Sequence, residues 1–256
     1  VVNAPFNMSG GTFNGAGSST INAPHVFTIN GGPVVISRNL SASQMNWVAG
    51  DFTIGSGAIL STNNFTSSAN GNISGNGTLA VSGIGSSFTK TTNAVSTINS
   101  VVALSSPATI SINGGTLALG GGGTISGSIS LTNASTLQFS LGAYTLNSPA
   151  SFNSTNSNLT VSGATVTANI PLVLDASSNL SLNAGTLTLA LPGQAGSSDK
   201  SINLALAICD ETMKVKSNTT PFFIIFKIIS AHLFSVAKAN LLKTSKQIKS
   251  NLTSVK

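Results

Sequence analysis

Few side chains in this protein can do chemistry, and their spacing keeps them apart. Residues 1–196 hold two carboxylates, Asp51 and Asp175, and two cations, Arg38 and Lys90. Cleaving a polysaccharide needs paired carboxylates as acid and base, or a carboxylate cluster that holds calcium. Asp51 and Asp175 lie too far apart in the sequence to form such a pair. His25 has no Cys, His or acidic neighbour at metal-ligand spacing. Cys209 is the single cysteine, between Ile208 and Asp210, and has no Cys or His partner, so it reads as a free thiol rather than a nucleophile. Trp47 and Tyr144, one residue of each type, would stack on a sugar ring if exposed. Packing in a core or at an edge is the competing reading for both. The four glycines 120–123 would cradle a phosphate only if a helix followed, and 124–129 reads as strand. The expectation is therefore a non-enzyme with no cofactor and no metal. The four charges read as solvated loop residues, and Trp47 and Tyr144 are the candidate ligand contacts.

The elements that would position these residues are short strands. In 177–191 (SSNLSLNAGTLTLAL), leucines two apart fall on one face of a strand, and Ser and Thr fall on the other. An Asn-Ala-Gly corner at 183–185 separates two such runs. Looser copies recur through most of the sequence, as in GNGTLAV at 75–81 and GGTLAL at 114–119. Strands of three to five residues between Gly, Asn and Ser corners are too short for an ordinary sandwich and suit a coil that turns several times per lap. The stretch 95–104 is more apolar and reads as one longer strand. Leu137, Leu159 and Leu180 are 22 and 21 residues apart, with Ile110 as a looser equivalent 27 residues upstream of Leu137. A period in the 20s is that of a solenoid, whose laps cannot bury their apolar faces alone. The LxxLxL spacing of leucine-rich repeats is missing. The fold class expected is all-β: a right-handed parallel β-solenoid (β-helix) of roughly nine laps over residues 1–196, handedness following the general rule for crossovers. Gly and Asn serve the corners, where positive φ is needed, and Asn side chains can stack as ladders.

Composition agrees with this and divides the protein in two. Only 6% of residues are charged and 41% are hydrophobic, against about 25% charged in ordinary soluble domains. All 26 glycines lie at or before Gly196. The formal charge of residues 1–196 is zero, so the net +6 belongs to 197–256. That tail is rich in lysine and apolar residues, and 233–249 patterns as a basic amphipathic helix. Three readings stand for it: a helical cap on the solenoid, a membrane-surface helix making contact through 219–249, or non-native read-through sequence. The run 222–237 is shorter than a membrane span and contains Lys227. The basic tail lacks interleaved aromatics, so no nucleic-acid partner is expected. Thr-x-Thr pairs at 165/167 and 186/188 are too few for the regular array that ice binding requires. The sequence begins at Val1 without a basic-then-apolar leader, and it reads as a fragment or a processed form.

The phrases FNMSGGTFNGAG (6–17), NWVAGDFTIGSG (46–57) and GNGTLAVSG (75–83) resemble the repeats of adhesin-like and autotransporter-passenger-like β-solenoid proteins. The resemblance covers about residues 1–193. It implies an extracellular or cell-surface, elongated, structural or adhesive module, with surface glycans or other matrix proteins as partners. A glycan-binding or polysaccharide-processing β-helix is the alternative. These repeats share no catalytic motif, so the resemblance assigns no functional residue.

Overall fold

The structure is a computed structural model that describes residues 1–147, 151–189 and the backbone of Leu206–Ala207. The described residues wind as a parallel β-solenoid of about nine laps, and each lap contributes a strand to each of three sides. The first side begins with Phe6–Met8 and is continued by 26–29, 44–47, 64–67, Ser87–Lys90, Thr109–Asn113, Ser128–Thr132, Phe152–Ser154 and Leu172–Leu174. The second side begins with Gly11–Phe13 and runs through Val34–Ile36, Phe52–Ile54, Gly71–Ser74, Val95–Ile98, Thr116–Leu119 and Thr136–Phe139 to 158–161 and 179–182. The third side runs from 18–21 through 39–42, 59–62, Thr78–Val81, Val101–Leu104, Gly123–Ile125 and Ala143–Leu146 to 165–168 and 186–189. At a spacing of about 4.8 Å per lap, the stack is roughly 40–45 Å long.

The alternation in the sequence decides which side chains enter the interior. Phe27, Phe65, Phe88, Ile110, Ile129 and Phe152 stack along the first side and are fully buried. The rings of Phe65 and Phe88 lie 4.8 Å apart, close to parallel. Leu117, Leu137, Leu159 and Leu180 form the corresponding column on the second side. Burying each such side chain contributes about 1.5–3 kcal/mol relative to leaving it exposed. Neighbouring laps supply the burial, which is why no single lap could fold alone.

The register corrects three expectations. Leu137 pairs with Leu117, whereas Ile110 lies on the first side between Phe88 and Ile129. The 27-residue spacing therefore joined residues of different sides. Within residues 1–189 lap lengths run from 18 residues, between Phe27 and Met45, to 25, between Ile73 and Ile98, and the step from Leu180 to Leu206 is 26. The stretch 95–104 is two strands on different sides, Val95–Ile98 and Val101–Leu104. Ser100 turns the backbone between them by donating its hydroxyl to Ser74 O at 2.7 Å. Several strands also continue around a corner, so Ser18–Asn30, Asn158–Ala168 and Asn179–Leu189 each serve two sides, with register shifts at the bend. Asn183–Gly185 is such a bend, and a Cβ on Gly185 (φ +90°) would sit 2.2 Å from Ala164 O of the preceding lap.

Asn side chains tie neighbouring laps in separate pairs rather than in the continuous ladders that the sequence suggests. Asn99 donates to Asn72 at 3.0 Å, Asn169 to Asn147 at 2.8 Å and Asn179 to Asn158 at 3.1 Å. Leu206–Ala207 adds to the second side by pairing with Leu180 and Ser181. The helical, membrane-contacting and read-through readings of 197–256 otherwise lie outside the described residues, as does Cys209.

Candidate functional site

Both aromatic candidates belong to the core. Trp47 alternates with Met45 on the inward face of the first side and is 0% exposed. Its indole Nε1–H donates to Gly50 O at 2.8 Å, and its ring meets Phe52 edge-on at 5.6 Å. Tyr144 points inward on the third side, is 1% exposed, and packs against Phe139 at 4.8 Å. Its phenolic oxygen accepts the N–H of Gly122 at 2.8 Å. Neither ring has a free face for a sugar, so the core reading is the one the packing favours. Burial pushes the Tyr144 hydroxyl up to about 12, against the opposing pull of the Gly122 and Gly121 N–H groups.

The charged residues are dispersed over the stack. Asp51 and Asp175 occupy equivalent corners, between the first and second sides, six laps apart by the strand register. That separation is roughly 30 Å. Each carboxylate serves the backbone of an adjacent lap. Asp51 Oδ1 accepts Asn72 N–H at 2.8 Å. Asp175 accepts Asn156 N–H, Ser177 N–H and the Ser178 hydroxyl, the last at 2.6 Å. The Ser178 hydrogen bond is the main cause that holds the Asp175 carboxyl below its ordinary range, outweighing burial and helped by the backbone N–H groups. The two are lap fasteners and are not brought together as an acid and base. His25 lies half-buried in the strand Ser18–Asn30. Among the described residues no three His, Cys, Asp or Glu side chains gather into a metal-ligand set.

Two charges depart from the solvated-loop expectation. Lys90 is fully buried, inward on the first side between Ser67 and Ile112. Its Nζ bends to the corner and donates to Thr92 O at 2.8 Å and Thr92 Oγ1 at 3.3 Å. Burial lowers its affinity for a proton. The signal was legible in SFTK (87–90), where Lys90 shares the parity of Phe88. Arg38 is half-buried, with its guanidinium 5.4 Å from the Phe13 ring centroid and Nη1 3.4 Å from Asn14 O. Among the described residues its buried Nε has no hydrogen-bond partner.

The glycines 120–123 form the corner between the second and third sides and enter the strand Gly123–Ile125. A Cβ on Gly123 (φ +138°) would lie 1.9 Å from Val102 O. This tight lap-to-lap approach leaves no room for a phosphate cradle.

Ordered polar columns cover much of the exposed surface, which also carries scattered apolar side chains such as Ile84 and Leu141. On the third side, the outward positions Thr124, Thr145, Thr167 and Thr188 stack in register over four successive laps. Thr165 and Thr186 form a second column beside them. The sequence displayed only the two Thr-x-Thr pairs, because the intervening lap lengths hide the register of Thr124 and Thr145. On the first side the outward column includes Asn46, Thr66, Thr89, Ser111, Ser130 and Asn153. Such a surface offers hydroxyl and amide hydrogen bonds and threonine methyl groups, repeated about every 4.8 Å. Its chemistry is that of binding or solvation.

Compared with protein-family models, with curated proteins and with solved structures, the sequence and its fold match none.

Proposed function

We propose that this protein is a non-catalytic structural or adhesive module of a secreted or cell-surface repeat protein. It acts as a stiff spacer that carries an extended polar binding surface. One observation carries the reading: outward Ser, Thr and Asn columns run in register along a core that is apolar apart from a few buried groups such as Lys90 and Ser67. A long lap-by-lap hydrogen-bonded stack resists bending and extension, and short polar side chains keep its surface hydrated without many charges. The resemblance to adhesin-like and autotransporter-passenger-like repeats points the same way. The direct test of the spacer is mechanical. Pulled from its ends, the stack resists and then releases laps in discrete steps, whereas a polypeptide that lengthens smoothly at low force is no spacer.

The glycan-binding alternative is favoured by the threonine columns on the third side. A panel of immobilised polysaccharides tests it. Retention that is lost when Thr145 and Thr167 are both replaced by Lys supports this reading, and retention unchanged by those substitutions contradicts it.

A further inference from the structure

The sequence contains five Asn-Gly steps, at Asn14, Asn30, Asn70, Asn76 and Asn113. In any such step the glycine amide nitrogen can attack the asparagine Cγ, because glycine has no side chain to obstruct the approach. The reacting pair is the same in all five, so the surroundings that the fold gives each pair distinguish them.

Four steps are restrained, each differently. Gly77 N–H is committed to Ile54 O at 3.0 Å. Gly71 lies in a paired strand, with Gly50 O 2.8 Å from where its Cβ would be. Asn30 is paired with Ala49, and Gly31 is pressed against Ser9, whose O lies 2.7 Å from its Cβ position. Asn113 Oδ1 accepts hydrogen bonds from Thr132 and from Asn133, and the Cβ position of Gly114 is 2.5 Å from Asn93 Oδ1. Asn14–Gly15 has none of these restraints. Both residues are exposed, and Asn14 lies outside every strand and its side chain makes no hydrogen bond among the described residues. Gly15 has only the Arg38 guanidinium near its Cβ position, at 3.4 Å. That cation also lies 3.4 Å from Asn14 O, where it favours the negative charge that develops on the attacking nitrogen.

We infer that Asn14 is the site at which this protein modifies itself, by cyclisation onto Gly15 and conversion to aspartate and isoaspartate. The Gly15 nitrogen loses its proton and bonds to Asn14 Cγ, the Cγ–Nδ2 bond breaks, and ammonia leaves. Water then opens the succinimide ring at either carbonyl. The product places a carboxylate beside Arg38 and gives that half-buried guanidinium an ionic partner. It also introduces the first negative side chain into residues 1–50.

The experiment is a time course of the whole protein in mildly alkaline buffer, followed by peptide mass spectrometry that quantifies conversion at each of the five steps. A parallel sample is kept in denaturant. In the folded protein Asn14 converts about tenfold faster than any of the other four, and in denaturant the five rates converge. Another step reacting as fast as Asn14 in the folded protein overturns the inference. So does the same spread of rates in folded and denatured samples, because the selectivity would then come from sequence alone.

Discussion

The hydroxyl of Tyr144 and the backbone N–H of Gly122, one lap apart, form a 2.8 Å hydrogen bond inside the solenoid. Gly122 sits in the glycine corner that turns the backbone from the second side to the third, and its N–H points inward. A donor buried this way needs an acceptor, since leaving it without one costs about 1–3 kcal/mol. The only tyrosine in the sequence supplies it.

The burial of this hydroxyl, against the opposing pull of the Gly122 N–H, gives the fold an alkaline limit. The folded Tyr144 hydroxyl titrates at about 12, above its ordinary value of 10.0. The unfolded protein therefore releases this proton first as pH rises. Its contribution is fully present below pH 10.0, is lost as pH climbs toward about 12, and amounts to about 2–3 kcal/mol. Denaturant titrations across that range should show stability falling. Tyr144→Phe should be less stable at neutral pH by about 1–3 kcal/mol, because Gly122 N–H loses its acceptor, and should lack the tyrosine part of the alkaline slope. A variant with the wild-type slope would refute the assignment.

Among the described residues no carboxylate lies beside the buried Lys90, so its ammonium sits in a costly place. Lys90→Met keeps the volume and removes the charge, and the expected change is neutral to stabilising by about 1 kcal/mol. Lys90→Ala leaves a cavity and should cost about 2 kcal/mol or more. The lowered proton affinity adds a pH signature. In the window between the depressed folded value and the ordinary 10.5, the unfolded protein holds more protons, so this residue makes stability rise with pH. The Met variant should lose that rise. A Met variant destabilised as much as the Ala variant would mean that the hydrogen bonds to Thr92 outweigh the cost of burying the charge.

Corner glycines should divide by what lies opposite them. Gly123→Ala places a methyl 1.9 Å from Val102 O at φ +138°, and both the clash and the backbone oppose it. Gly57 also has positive φ, +74°, but open space around its Cβ position. Gly57→Ala should cost only the left-handed penalty of about 1–2 kcal/mol, and Gly123→Ala several times that. Thermal unfolding of the two variants checks the order, and equal losses would contradict the lap-to-lap contact.

How far the sequence carried follows from the same alternation. Leu137, Leu159 and Leu180 are stacked in adjacent laps because their spacings, 22 and 21 residues, are each one lap. Ile110 misled because it has the same apolar character but belongs to another side, and nothing local distinguishes sides. Strand parity was enough to place Trp47 beside Met45 and Lys90 beside Phe88 in the interior. The expectation of a solvated Lys90 came from residue type, which parity overrules here. The threonine columns were only half visible, since they depend on pairing residues from laps of unequal length. The positions of Asp51 and Asp175 as lap fasteners were not legible at all, because each acts on the backbone of a neighbouring lap.

The most direct test is single-molecule extension of the protein held at Val1 and Leu189. A lap of about 21 residues releases roughly 70–75 Å of contour when it comes off the stack. A stiff stack of laps should resist the load and lengthen in steps of that size, one lap or a small multiple at a time. Smooth lengthening at low force, without such steps, would contradict both the stacked-lap fold under load and the proposed role as a stiff spacer.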